Sequence, residues 1–346
     1  MLRYLTAGES HARTLVAILE GMPAGLKINP LKINHELRRR QQGVGRGKRM
    51  QIEKDKAQII SGLKGSVTLG SPIAILIENK DFSIERLGTV KFARPGHADL
   101  AGALKYGFKD IRCVLERASA RETAARVGIG AICKMLLKEF KIRIISRSVS
   151  IGAESKKAAI LKKVREARNK KDTLGGIFEV IAKGVPVGLG SYVSADRRLD
   201  AKLTQSIMSI PGIKAVGIGM GFACADKFGS QVHDAIYYSK AKGFYRKTNN
   251  AGGIEGGVSN GENIIIRACM KPISTLLNPL DSVNINSKKP AKATVERSDI
   301  CAVESAGVIA ESAVAFVLAE ALLDKFGSDA LIDIKNNYQN YLKRIC

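Results

Sequence analysis

Residues 116–140 read ERASARETAARVGIGAICKMLLKEF. A start rich in arginine and serine runs into alanine, glycine and large aliphatic residues at helical spacing, and the pattern predicts one long helix over 116–140. The arrangement returns near the end of the chain. RSDICAVESAG, from Arg297, leads into an alanine-rich helical pattern over 302–326 that closes on Lys325-Phe326-Gly327, a basic last turn followed by a glycine cap. Two structurally related halves facing one site would account for the echo, and so would chance repetition. A third helical pattern, 154–171, carries several bases and reads as a solvated face.

Alternating β-branched and apolar runs predict strands near 73–78, 142–151, 176–183, 213–219 and 263–270. Strands and long helices in one chain make the class mixed α/β. No proline- or serine-rich linker divides the sequence, so a single compact domain over 1–346 is expected. The composition is globular, with 45% hydrophobic residues. The opening MLRYLTAGESHARTLVAILEG lacks the pattern of a cleaved leader and is read as mature protein. Glu304, Glu311 and Glu320 break the most apolar segment, which argues against a membrane span. The six cysteines are scattered, with no CxxC pair, so free thiols in a reducing cytoplasm are expected and no metal site.

Lys and Arg outnumber Asp and Glu by 56 to 32, a formal charge of +24, so anionic company is expected. Nucleic acid, an acidic membrane surface and phosphorylated small molecules all satisfy that expectation. Known nucleotide motifs fail. In GVGRGKR (43–49) the first glycine is one residue too close and Arg49 stands where a P-loop has Ser or Thr. GIGMGFA (217–223) places Phe222 at the third glycine of a dinucleotide fingerprint. What remains is a set of loops that mix small residues with cations, imidazoles, hydroxyls and carboxylates: AGESHA (7–12), RPGHADL (94–100), RASARE (117–122), TNNAGGIEGG (248–257), MKPIST (270–275) and ERSD (296–299). Small residues admit a ligand to the backbone and arginine forks bind phosphate oxygens, so the set suits a phosphorylated ligand.

Of four histidines, His35 and His233 have ordinary structural readings. His11 and His97 sit among Gly, Ser or Pro in charged loops, where an imidazole can give a proton to a leaving group or hold a developing charge. Asp299 reads either as an N-cap for the helix that follows or as a functional carboxylate. Lys271 and Thr275 read either as a strand exit and turn set by Pro272 or as ligand contacts.

Taken together, GESHA (8–12), RRRQQGVGRGKRM (38–50), RPGHAD (94–99), RASARET (117–123), GVPVGLG (184–190), TNNAGGIEGG (248–257), MKPIST (270–275) and ERSD (296–299) resemble, in order, the signatures of the chorismate synthase family. The resemblance implies a β-α-β sandwich with a helical layer between β-sheets, two related halves and a homotetramer. It also implies a lyase that converts 5-enolpyruvylshikimate 3-phosphate to chorismate and phosphate by anti 1,4-elimination, needing reduced FMN without net redox change. His11 would act as the acid near the leaving phosphate, His97 would protonate or stabilise the reduced flavin, and Asp299 would act through the flavin N5 position to help remove the ring hydrogen. Arg40, Arg46, Arg49, Arg94, Arg121 and Arg297 would line the substrate site. FMN contacts would fall on Arg117, Ala118, Ser119, Pro211, Gly212, Gly257, Lys271, Pro272, Ile273, Ser274, Thr275 and Arg297, and NADPH on Arg40 and Arg46.

The chain departs from the family pattern at Ala12, which replaces a glycine, at Ala118, which replaces a serine, and at SIPGIK (209–214), which replaces a SINAVK-type turn. It also looks shorter than many members before RPGHAD and before GVPVGLG. An FMN- and NADPH-dependent oxidoreductase is the nearest alternative. A nucleic-acid-binding protein is weaker, because aromatic residues make up 5% of the chain, tryptophan is absent, and no nucleic-acid motif appears.

Overall fold

The computed structural model describes residues 1–47, 53–241, 243–296 and 298–345. Arg49 and Arg297 lie outside the described residues. In the first half of the chain, strands β1 (Arg3–Ala7), β2 (Thr14–Glu20), β3 (Ala57–Ile59) and β4 (Ile73–Glu78) form an antiparallel sheet in the order β1-β2-β4-β3. Helix α1 (Pro30–Gln41) joins β2 to β3. After β4 come α2 (Asp99–Tyr106), α3 (Arg112–Ala118) and the long α4 (Thr123–Glu139).

The second half repeats the scheme. Strands β5 (Arg143–Ile151), β6 (Gly176–Lys183), β7 (Ile213–Ile218) and β8 (Ile264–Met270) form an antiparallel sheet in the order β5-β6-β8-β7. Helix α5 (Lys157–Asn169) lies between β5 and β6, and α6 (Leu199–Met208) between β6 and β7. The long α7 (Val303–Phe326) follows β8, and α8 (Leu331–Ile345) ends the described chain. In each half the strands are ordered first, second, fourth, third; a helix joins the second to the third, and a long helix follows the fourth. This is the two-halves arrangement.

The helices lie between the sheets. Alternate residues of the first sheet (Leu15, Ala17, Leu19, Ile73, Ile75, Ile77) and of the second (Ile144, Phe178, Val180, Ala182, Ile264, Ile266, Ala268) face α4 and α7 and share one core with them. A Cβ on Gly130 of α4 would stand 2.2 Å from the Ser312 Cβ of α7, so the two helices meet at a distance only glycine permits. Helix α7 is long and apolar enough to cross a membrane, but 83% of its most apolar window is buried inside the protein.

The predicted strands recur within a residue at each end, and the 154–171 and 302–326 helices appear as Lys157–Asn169 and Val303–Phe326. The helix predicted over 116–140 does not run unbroken. It divides into α3, a 3₁₀ turn at Ala120–Glu122, and α4. Ser119 is extended (φ −66°, ψ 139°), and its hydroxyl accepts the Arg121 N–H at 3.3 Å, offering the backbone a turn in place of a helical bond.

Helix α1 begins with an Asn29 cap, whose Oδ1 accepts the Leu31 N–H at 2.9 Å, and with proline at its first position. It ends on Arg38, Arg39 and Arg40. Successive helical residues turn by about 100°, so these cations go three ways: Arg38 to solvent, Arg39 into the helical layer, and Arg40 into the interior on another side. Arg39 forks onto Glu311 of α7 (2.7 and 2.8 Å), which also accepts from Lys134 of α4 (2.5 Å) and Ser146 of β5 (2.6 Å). Burial alone would raise the Glu311 carboxyl, but these donors bring it down to about 2.

Because that value lies below the usual 4.5, the pairing stabilises the fold fully above pH 4.5 and loses its effect as pH falls towards 2. Glu311→Gln is expected to cost about 3–5 kcal/mol at neutral pH, since it removes the buried charge that pairs two half-buried cations. Urea unfolding followed across pH should also show less stability lost between pH 4.5 and 2 in the variant than in the parent.

Candidate active site

The ligand loops occupy equivalent connections in the two halves. The segment from the shorter helix to the third strand supplies Arg46 in the first half and Pro211-Gly212 in the second. The segment from the fourth strand to the long helix supplies His97 and Arg117 to Arg121 in the first half, and Lys271 to Thr275 and Asp299 in the second. His11 comes from the β1–β2 connection, where the second half has α5 instead.

The first group of residues surrounds His11, which is 7% exposed. Its Nδ1 lies 2.9 and 3.0 Å from the two Glu116 carboxylate oxygens, and its backbone N–H donates to Glu116 Oε2 at 2.8 Å. Asn79 Nδ2 holds the loop by donating to the Ala12 carbonyl at 2.6 Å, while Asn79 Oδ1 accepts from Arg121 Nε at 2.8 Å. Arg121 Nη1 then meets both oxygens of Asp55 at 2.7 Å. Arg40 Nε donates to Thr123 at 3.0 Å, Nη2 donates to the Ala120 carbonyl at 2.9 Å, and Nη1 stands 3.6 Å from Asp55.

Burial, opposed by Asp55 and aided by the positive Arg121 and Arg46, lowers Arg40 to about 10. Within this cluster, the buried Arg40 Nη1 and Arg121 Nη2 make no hydrogen bond to the described residues. Buried donors are nearly always satisfied, and a bound anion would supply what these two lack. Asp55, Glu53, Asn79 and Glu116 hold this cluster together, and sequence reading missed all four. The acids carried no motif of their own, and folding alone brings them to the arginines.

The second group joins RPGHAD to MKPIST. Arg94 grips Asp99 through Nε (2.8 Å) and Nη2 (3.0 Å) and donates to Thr275 Oγ1 at 2.8 Å. His97 Nδ1 lies 2.5 Å from Asp99 Oδ1. Lys271 Nζ donates to the Gly96 carbonyl and to Ser274 Oγ, and the Ser274 hydroxyl donates to the same carbonyl at 2.8 Å. Burial and the neighbouring Lys214 lower Lys271. The Lys271 N–H donates to the carbonyl of Gly212 at 2.9 Å, and Gly212 takes a left-handed φ of +88° that favours glycine. Thus Gly212, Lys271, Ser274, Thr275 and His97 are brought together.

Arg94 is 7% exposed and turned inward, so its geometry is that of a strut holding Asp99 and Thr275. A groove of about 530 Å³ flanks this loop, yet of its lining only Arg94 and His97 belong to the candidate set. Cavity size does not mark the arginine cluster.

The third group is Asp299. Its Oδ2 pairs with Arg46 Nη1 at 2.6 Å, and its Oδ1 accepts the Gly47 N–H at 2.5 Å. The carboxylate therefore closes the 43–47 loop, and the N-cap reading fails because Ala302 precedes α7. Among the flavin candidates, Arg117 turns to the β1 end, donating to the carbonyls of Gly8 (2.8 Å) and Thr6 (2.9 Å). Ser119 Oγ lies 3.2 Å from Ser10 Oγ. Gly257 packs against Ser191 and Arg198 at the start of α6. His35 is an exposed helix residue and His233 caps a short helical turn, in keeping with structural roles.

A family model described as chorismate synthase matches residues 2–323 of the chain. The chain belongs to the chorismate synthase family. It is 53% identical to the chorismate synthase of Thermoanaerobacter pseudethanolicus over 344 residues, covering 99% of this chain and 98% of that protein. It is 49% identical to the Geobacter sulfurreducens chorismate synthase over an alignment of 392 residues, covering 100% and 99% of the two chains. A crystal structure of chorismate synthase superposes with a TM-score of 0.82 at 41% identity, covering 99% of this chain and 98% of that one. The chain is thus a lyase of the shikimate pathway, in a flavin-dependent family acting on a small-molecule substrate.

Burial alone would raise the Asp99 carboxyl, but bonds and charge from His97 and Arg94 hold it well below the usual carboxylate range. A depressed folded value stabilises the protein above about pH 4, and the gain is lost as pH falls. Asp99→Asn is expected to lower stability at pH 7 by about 3–5 kcal/mol, because the buried Arg94 guanidinium loses its charged partner and the His97 ring its acceptor. Chemical denaturation at pH 7 checks the size, and a variant as stable as the parent would show that Asp99 does not hold this loop.

Proposed function

We propose that the cluster around Arg40, Arg121 and His11 takes 5-enolpyruvylshikimate 3-phosphate and eliminates its phosphate to give chorismate. The observation that carries this reading is a pair of buried guanidinium nitrogens without a hydrogen bond, Arg40 Nη1 and Arg121 Nη2, held only at ion-pair distance by Asp55 (3.6 Å) and Glu53 (3.8 Å). They supply charge-assisted donors to phosphate or carboxylate oxygens in a site that excludes water. Arg46, and with it Arg49 and Arg297, completes the cationic wall; Arg94 acts from behind, by fixing the loop that bears His97. With Nδ1 held by Glu116, His11 has Nε2 free to hand a proton to the leaving phosphate. Negative charge grows on that phosphate in the transition state, so the arginines raise the rate as well as the affinity.

The residues fit a phosphate-bearing flavin. Lys271, Ser274 and the left-handed Gly212 form a cationic, hydroxyl-bearing turn beside His97, with Thr275 fixed by Arg94. We assign reduced FMN to this turn, with Pro211, Pro272, Ile273, Arg117, Ala118, Ser119, Gly257 and Arg297 as further contacts. Reduced FMN supplies electron density that helps expel phosphate from a ring whose departing hydrogen is not acidic. The Asp299 carboxylate, held by Arg46 and the Gly47 N–H, would act through the flavin N5 position to help remove that hydrogen.

The test is anaerobic: protein, reduced FMN and 5-enolpyruvylshikimate 3-phosphate are mixed, and chorismate and phosphate are followed. Absence of both removes the reading. NADPH oxidation in step with product and without phosphate release selects an oxidoreductase. Replacing the chemical reductant with NADPH tests the proposed contact at Arg40 and Arg46, which fails if no chorismate forms. His11→Ala and Asp299→Ala are each expected to lower turnover by roughly 10²–10⁴-fold with folding retained. A variant that turns over at the parent rate loses its assigned role.

We also propose a homotetramer, in the cytoplasm. Leu5 (70% exposed) and Ile18 (42%) lie on the outer face of the first sheet, and Phe222, Phe228, Tyr238 and Phe244 stand out on the segment around the Ile236–Arg246 hairpin. Large exposed apolar surfaces mark association sites. Light scattering behind size exclusion should return four times the chain mass, and a monomer would overturn the assignment.

A further inference from the structure

We infer that Glu116 is a positioning residue that fixes the tautomer of His11, so that Nε2 is the nitrogen presented for proton transfer. The inference deepens the reading of His11 as the acid and rests on it. Glu116 lies on α3, far from His11 in sequence, and is 3% exposed. Its two oxygens, 2.9 and 3.0 Å from His11 Nδ1, can only accept, so Nδ1 carries the hydrogen in both charge states of the ring. The same carboxylate takes the His11 backbone N–H at 2.8 Å, and the Glu116 carbonyl takes the Ser10 N–H at 2.9 Å. Ring and backbone are thus clamped by one residue, leaving the ring no turn that would exchange its nitrogens.

Other charges stand further off. Asp81 Oδ2 is 4.0 Å from His11 Nε2, beyond hydrogen-bond reach. Arg112 Nη1 is 3.6 Å from Glu116 Oε1 and pairs through Nη2 with Glu296 at 2.9 Å, so it adds positive charge beside the carboxylate. Burial alone would raise the Glu116 carboxyl, but the bonds from His11 and the charges of His11 and Arg112 lower it, which keeps it an acceptor. Asp99 Oδ1 also lies against His97 Nδ1, from two residues along the chain, but there Arg94 Nη2 stands 3.1 Å from the same nitrogen. Each candidate imidazole therefore has a buried carboxylate at Nδ1 and an arginine paired with that carboxylate.

The test uses the full chain and two readouts. In ¹⁵N-histidine-labelled protein, the neutral His11 ring should show the Nδ1–H tautomer by its nitrogen shifts and couplings. Glu116→Gln can donate as well as accept, so it should populate the other tautomer and lower kcat on the order of 10²-fold while KM changes less than about threefold. Glu116→Asp keeps an acceptor and should recover kcat to within about tenfold of the parent. An Nε2–H tautomer in the parent overturns the inference, as does a Glu116→Gln variant that keeps parent kcat. If Glu116→Gln fails to fold, the parent tautomer and the Glu116→Asp rate still decide. If the parent makes no chorismate, the functional reading fails, whereas the tautomer measurement stands or falls separately.

Discussion

The close crossing of α4 and α7 is the constraint on which the rest depends. Gly130 lets the helices approach at Ser312, and the adjacent residue Glu311 gathers Arg39, Lys134 and Ser146 from a helix, the partner helix and a strand. A buried charge is costly unless it is fully paired, so these four elements cannot shift independently. Arg39 ties the last turn of α1 into that network, and the next residue, Arg40, is thereby aimed at the candidate site. Ser305 of α7 adds a bond to the Arg40 carbonyl at 2.7 Å.

Repetition of one strand–helix scheme explains how loops from the two halves meet though they are far apart in sequence: Arg46 and Gly47 with Asp299, and Arg94 and Gly96 with Lys271, Ser274 and Thr275. The departure from symmetry is informative. Where the second half has α5, the first has a tight β1–β2 connection, and the space is occupied by His11.

The surplus of positive charge is not spread evenly through the site. Arg40, Arg94 and Arg121 are buried with Asp55, Glu53 and Asp99, so most of their donors are committed. What is left for a ligand is a small number of orphaned N–H directions. In a dry site a few fixed donors discriminate better than many mobile ones, because they require no reorganisation as charge develops. The remaining surface cations supply a long-range field that gathers anions.

The sequence by itself determined five of the eight strands of the two main sheets, the two long helices and the motifs that identify the family, since period-2 and helical spacing and ordered motifs are local signals. It left out the N-terminal hairpin, the Ala57–Ile59 strand and the short strand pairs after residue 235, and it ran α3 and α4 together because helical periodicity persists across Ser119 while a side-chain turn interrupts the backbone. It named His11, His97 and Asp299, but it had no means of finding what stands behind them. Glu116 is 105 residues from His11, Glu311 is 272 from Arg39, and Gly47 is 252 from Asp299. Tertiary structure alone decided those pairings, along with the inward turn of Arg94. A buried charge must find its partner wherever the packed elements place one, and spacing along the chain carries no record of that distance.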